Sequence, residues 1–168
     1  RTGKQLKNME RICVKIADFK VAKNSQVLET ISLGSCVGVA LYDPAAGIGG
    51  LAHIMLPDSA QSKIQISPKR FADTGIRGMI GAMIEVGAVK NRLIAKIIGG
   101  ACMFESAMLD PGMNIGERNI QAVKKVLSEE NIIIKAEDTG KNYGRTVELY
   151  VCTGRVIIRS ARHGVKEL

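Results

Sequence analysis

Apolar positions in this chain fall into short runs bounded by glycine and proline, with two longer stretches at helical spacing. Ile12, Val14 and Ile16 alternate with charged neighbours and predict a first strand within Met9–Val21. Val27–Ile31 predicts a second strand, entering a turn at Leu33–Cys36. Two apolar runs, Val37–Tyr42 and Ile48–Leu56, meet through Asp43-Pro44-Ala45-Ala46 and predict a β-hairpin. A polar loop follows over Pro57–Ser62. Phe71, Gly75, Met79, Met83 and Val86, with Ile76 and Ile80 beside them, predict a helix over Pro68–Val86, proline being tolerated in a first turn.

Leu93–Ile98 predicts a strand that stops at Gly99-Gly100. Asn114, with Glu117 three residues on, is a helix-start signal, and Ile120, Val123, Val126 and Leu127 give that helix an apolar stripe ending near Asn131. Ile132–Ala136 predicts a strand and Thr139–Gly144 a turn. Arg145–Cys152 and Arg155–Arg159 predict a closing hairpin around Thr153-Gly154. Residues 1–10 and 160–168 are expected to be flexible tails.

Runs of strands interrupted by two substantial helices predict an α/β fold: mixed β-sheets packed in a layered sandwich with helices on the outside. The 168 residues suit one domain with a sizeable core, and 46% hydrophobic residues with no Trp make that core aliphatic. No apolar run approaches the length of a membrane span, and no apolar segment follows Arg1-Thr2-Gly3-Lys4, so neither membrane insertion nor a signal peptide is expected. The expected compartment is the cytoplasm. There the four cysteines, Cys13, Cys36, Cys102 and Cys152, wide apart and without a CxxC pair, are expected as free thiols.

The hairpin carries the candidate chemistry. With Asp43–Ala46 as a four-residue loop, Tyr42 pairs with Gly47 and Cys36 falls directly opposite His53, on one face of the sheet. A five-residue loop sends the two side chains to opposite faces. A thiol beside an imidazole is a nucleophile–base unit, because the imidazole takes the thiol proton and returns it to a leaving group. The same pattern also describes a small core cysteine and a structural histidine. Only one other histidine exists, His163 in the polar tail, so the choice of base is narrow. Cys102, between Gly100 and Phe104, is the rival nucleophile but has no imidazole near it in sequence. No cluster of His, Cys and carboxylates stands at ligand spacing, so neither metal nor cofactor is expected. A net charge of +8 raises nucleic-acid binding, but the basic residues are dispersed and no nucleic-acid motif accompanies them. An acidic protein partner accounts for the charge as well.

Leu33-Gly34-Ser35-Cys36-Val37-Gly38, followed by Gly49-Gly50-Leu51-Ala52-His53-Ile54-Met55-Leu56-Pro57, resembles the chemoreceptor glutamine deamidases, the CheD family of bacterial chemotaxis. Gly99–Phe104, Asn114–Asn119 and Ala136–Gly140 extend the resemblance in order from about Val27 to about Arg159. It implies a protein-glutamine glutaminase, an amidohydrolase that converts glutamine side chains of chemoreceptors to glutamate in adaptation through a thioester. It also implies Cys36 as nucleophile, His53 as base and Thr30, six positions before the cysteine, as the third member that orients the imidazole. Ser32 departs from the pattern where glycine is common, and it offers a hydroxyl competing with Thr30. Lys141 departs where a second glycine often follows Gly140. The family resemblance further implies the phosphatase CheC as a partner. A non-catalytic adaptor binding receptors and CheC is therefore the alternative to the enzyme.

Overall fold

The computed structural model describes residues 8–104, 110, 112 and 114–168. Its strands are β1 (Arg11–Cys13), β2 (Phe19–Lys23), β3 (Val27–Leu33), β4 (Val37–Asp43), β5 (Ile48–Ile54), β6 (Ile94–Gly99), β7 (Ile133–Thr139), β8 (Arg145–Tyr150), β9 (Arg155–Ser160) and β10 (Gly164–Glu167). Two α-helices, α1 (Ala72–Glu85) and α2 (Ile115–Glu129), complete the frame. One sheet has the order β1-β3-β8-β9-β10 and the other β2-β5-β4-β6-β7. Both are mixed, since β1 runs parallel to β3 and β6 parallel to β7 while the remaining pairs are antiparallel. The expected α/β layered sandwich is found, with both helices on the second sheet only.

Every residue of β4 and β5 is buried, as the near-continuous apolar sequence requires of strands covered on both faces. Alternation sorts their side chains. Val37, Val39, Leu41, Ala52 and Ile54 face α1 and α2, meeting Ile76, Met79, Met83, Val123 and Leu127. Ala40 and Leu51 face the first sheet and meet Leu28, Leu33, Val147, Leu149 and Val156. The second sheet is thus the middle layer.

Three expectations about the elements are corrected. The single strand within Met9–Val21 is two strands in different sheets, because Ala17 takes φ 59° and turns the chain across, leaving Ile16 exposed. The first helix begins at Ala72, not Pro68. A 3₁₀ turn at Pro68–Arg70 precedes it, and Phe71 is held extended by pairing with Leu56 and by burying its ring. Residues 164–167, expected in a flexible tail, form β10 against β9. Of the other expected tail, residues 1–7 lie outside the described part, whereas the Glu10 carbonyl accepts from the Val27 N–H.

The second helix starts as its capping signal predicts: Asn114 Oδ1 accepts the Glu117 N–H at 3.0 Å. Its first turn then lies almost against the Gly100–Ala101 backbone. A Cβ on Gly116 would stand 2.5 Å from both the Gly100 and Ala101 carbonyl oxygens. That close approach sets where the next turn of α2 delivers its side chains.

Candidate functional site

His53 lies in β5 of the middle sheet and Thr30 in β3 of the other, so only the packing of the two sheets joins them. The backbone of His53 is held on both sides by the β1–β2 connection: its N–H donates to Asp18 O at 2.9 Å, and its carbonyl accepts from Ala17 N at 3.1 Å. Its Nδ1 lies 2.7 Å from Thr30 Oγ1, and that oxygen lies 2.8 Å from the Val14 carbonyl. A carbonyl only accepts, so the single Thr30 hydroxyl proton goes to Val14 and the hydroxyl oxygen accepts from Nδ1–H. The imidazole is thereby fixed in the tautomer with a bare lone pair on Nε2. Nε2 has no hydrogen-bond partner among the described residues and is shielded from solvent. Burial lowers the imidazole pKa from 6.5 to about 4, so at neutral pH the ring is an uncharged base.

The hairpin register differs from the expected one by two residues. Asp43 pairs with Ile48, the four-residue loop is Pro44–Gly47, and Gly38 stands opposite His53. Two causes act together. Asp43 is drawn into the strand end, where its buried carboxylate accepts the N–H groups of Ala45, Ala46 and Val89 and pairs with Arg92 at 2.9 Å. Gly47, not Ala46, supplies the positive φ that the turn needs. A slip of two preserves the faces of the two paired strands, but the ladder begins at Val37–Ile54, so Cys36 is not directly across from His53. Cys36 sits in the bend just before β4, half buried against the inter-sheet cluster. Its thiol makes no hydrogen bond with Nε2. Burial raises the thiol pKa, so the resting pair is a neutral thiol and a neutral imidazole.

The bend itself is drawn inward at three successive carbonyls. Gly34 O accepts from Ala101 N at 2.9 Å, Ser35 O from Asn119 Nδ2 at 3.0 Å, and Cys36 O from Gly100 N at 2.8 Å. Gly99, at φ 104°, allows this approach, since a Cβ there would meet the Cys36 carbonyl oxygen at 2.5 Å. In a trans peptide the N–H points opposite to the C=O. The N–H groups of Ser35 and Cys36 therefore point away from these anchors, and no backbone carbonyl of the described residues engages them. Such paired outward N–H groups can bind a developing oxyanion.

Two shallow cavities flank the start of α2. One of about 70 Å³ is lined by Ser35, Ala101, Cys102, Phe104 and Asn114–Gly116. One of about 230 Å³ is lined by Leu56–Asp58, Gln61, Phe71 and Arg118. Ser35 places the first beside the bend that carries Cys36.

Matching the chain against protein-family models finds the CheD family, described as CheD chemotactic sensory transduction, over residues 55–160. The chain belongs to the CheD family. A relative from Caldanaerobacter subterraneus subsp. tengcongensis is 52% identical over 91% of this chain and 94% of its own. One from Symbiobacterium thermophilum is 43% identical over 92% and 95%, and one from Clostridium botulinum 47% identical over 96% and 99%. All three are named probable chemoreceptor glutamine deamidase CheD. Among solved structures, a Neisseria meningitidis protein of the family-model DUF152 has a similar fold, with TM-score 0.51 at 12% identity, covering 82% of this chain and 66% of that one.

Against the CheD pattern, both departures fall at residues with a left-handed backbone: Ser32 at φ 58° and Lys141 at φ 65°. Ser32 is exposed at the bulge where β3 leaves its register with β8, whereas Thr30 is fully buried against His53. The competing hydroxyl is therefore not the one at the imidazole. Cys13, Cys36, Cys102 and Cys152 are all free thiols, and the Cys102 thiol donates to Phe104 O at 3.4 Å. No group of three or more His, Cys, Asp or Glu among the described residues is disposed to hold a metal. No helix among them is long and apolar enough to cross a membrane. Residue-by-residue reading of the sequence did not single out Asn119. Its signal was a polar residue at a core position of the α2 stripe, between buried Gly116 and Ile120.

Proposed function

We propose that this protein is a cysteine-dependent amidohydrolase that converts glutamine side chains on the cytoplasmic segments of chemoreceptors to glutamate. The observation that carries the reading is the Val14–Thr30–His53 chain of hydrogen bonds, which leaves Nε2 as a buried, uncharged base between the sheets, while Cys36 packs against the inter-sheet cluster. Membership of the CheD family and the names of its relatives supply the substrate class.

In the first step His53 Nε2 takes the Cys36 thiol proton as Sγ bonds to the amide carbon, and the carbonyl oxygen becomes the oxyanion held by the Ser35 and Cys36 N–H groups. The Nε2 proton then passes to the amide nitrogen, the C–N bond breaks, and ammonia leaves a thioester on Cys36. Water attacks that thioester with its proton going to Nε2. The C–S bond breaks and the proton returns to sulfur, giving glutamate and the free thiol. A resting neutral pair suits this sequence, since the thiolate is generated only as the substrate is attacked. Thr30 touches none of the reacting atoms and is a positioning residue for the imidazole.

The test is mass spectrometry of a receptor cytoplasmic fragment incubated with wild-type protein, Cys36→Ala or Cys102→Ala. A gain of about one dalton at glutamine is expected with wild type and Cys102→Ala and not with Cys36→Ala, with fragment binding retained in all three. Binding without modification by the wild type would assign the chain to the adaptor role, with receptors and CheC as its partners. Loss of turnover in folded Cys102→Ala would transfer the nucleophile to Cys102.

A further inference from the structure

Asn119 is fully buried in α2, one turn after Gly116, and its side chain reaches out of the helix to two distant segments. Nδ2 stands 3.0 Å from Ser35 O and 3.0 Å from Met55 O. Both acceptors are carbonyl oxygens, so the chemistry assigns the NH₂ end to them without ambiguity. One segment precedes Cys36 by a single residue and the other follows His53 by two. The same amide therefore joins the bend of the candidate nucleophile to the strand of the candidate base. Asn119 Oδ1 is buried with no partner among the described residues. A leucine there would continue the stripe of Ile120, Val123 and Leu127 but take the donor away from the Ser35 and Met55 carbonyls. The helix instead keeps a polar side chain that is only half satisfied, a local conflict of the kind found at functional positions.

We propose that Asn119 is a positioning residue for oxyanion stabilisation. Its hydrogen bond to Ser35 O fixes the plane of the Ser35–Cys36 peptide, and so aims the Cys36 N–H at the oxygen of the substrate amide. Donation to the carbonyl of a peptide also polarises that peptide's N–H, strengthening it as a donor. Anchors on either side, Ala101 N to Gly34 O and Gly100 N to Cys36 O, come from the backbone. The middle anchor alone is a side chain, and it is the one attached to the peptide whose N–H belongs to Cys36. The close seating of Gly116 on Gly100–Ala101 brings the helix near enough for the amide to reach.

This inference rests on the proposed hydrolysis, and its test separates the two. Asn119→Ala and Asn119→Gln are compared with wild type in three measurements: kcat and KM on the receptor fragment, the rate of Cys36 alkylation by iodoacetamide as a function of pH, and thermal unfolding. Alkylation displaces iodide at a saturated carbon and forms no oxyanion, so it reads the thiol without the peptide N–H. The expected result is a fall in kcat of at least about 10-fold, with KM and the alkylation profile close to wild type. Asn119→Gln keeps the amide and the hydrogen-bonding capacity while moving the donor by one methylene, and it decides the matter should the alanine variant not fold. A folded variant that keeps kcat within about threefold overturns the proposal. So does a fall of kcat only in proportion to the unfolded fraction, accompanied by faster alkylation of the released thiol, which would assign Asn119 a structural role only. Absence of turnover by the wild type itself would overturn the proposed function instead.

Discussion

Burial of His53 makes a quantitative statement about stability and pH. The imidazole ordinarily titrates at 6.5 and here at about 4, because charging it between the sheets forfeits its hydration. In the window between those values the unfolded chain holds a proton that the folded one does not. Stability therefore falls as the pH drops from about 6.5 towards 4, and this group causes no further loss below that. At pH 5 the unfolded ring is almost wholly protonated and the native ring about one-tenth, a difference of about 2 kcal/mol relative to neutral pH. For a chain of this length that corresponds to about 5 °C in melting temperature.

The comparison protein is His53→Asn, whose amide can still donate to Thr30 Oγ1 and does not titrate. Carboxylates held low by their cations, such as Asp43 at about 2 beside Arg92, also make wild type acid-sensitive, but they are common to both proteins and cancel. Chemical denaturation of both proteins at pH 7 and pH 5 gives the excess loss in wild type, expected at about 2 kcal/mol. Equal losses in the two proteins would show that the imidazole titrates normally and would refute the account of Nε2 as a buried neutral base. The same protonation places the acid limb of kcat/KM near pH 4 rather than 6.5.

Thr30→Val preserves shape but strands the His53 Nδ1–H and the Val14 carbonyl; kcat on a receptor fragment should fall about 10-fold to 100-fold, and a folded variant within twofold of wild type would exclude the positioning role. Gly116→Ala should gain about 1 kcal/mol of helix propensity yet lose about 2 kcal/mol net in urea unfolding, because its Cβ meets two carbonyl oxygens at 2.5 Å; a stabilised variant would contradict that packing. Ser32→Gly and Lys141→Gly should each raise stability by about 0.5 kcal/mol by releasing left-handed strain at φ 58° and 65°, with melting temperature unchanged or lower as the opposing result.

Local physics wrote much of this protein into its sequence. The buried runs of β4 and β5, the hairpin that joins them, the capping pair Asn114 and Glu117 and the stripe of α2 depend on neighbours in the chain, and period and turn chemistry reveal them. The face that His53 presents from β5 was legible too, because a strand alternates with period two and a slip of two leaves that face unchanged. The exact pairing was not, since it depends on Asp43 finding Arg92 and the Val89 N–H across the fold. Nor does any local rule place Ala17 at the crossing between sheets or hold Phe71 extended against Leu56. Thr30 and His53 belong to different sheets, and their 2.7 Å contact exists only because those sheets stack. Asn119 reaches Ser35 and Met55 across 84 and 64 residues, a distance over which sequence spacing carries no geometry; the seating of a glycine-lined helix start on a glycine-lined loop decides it.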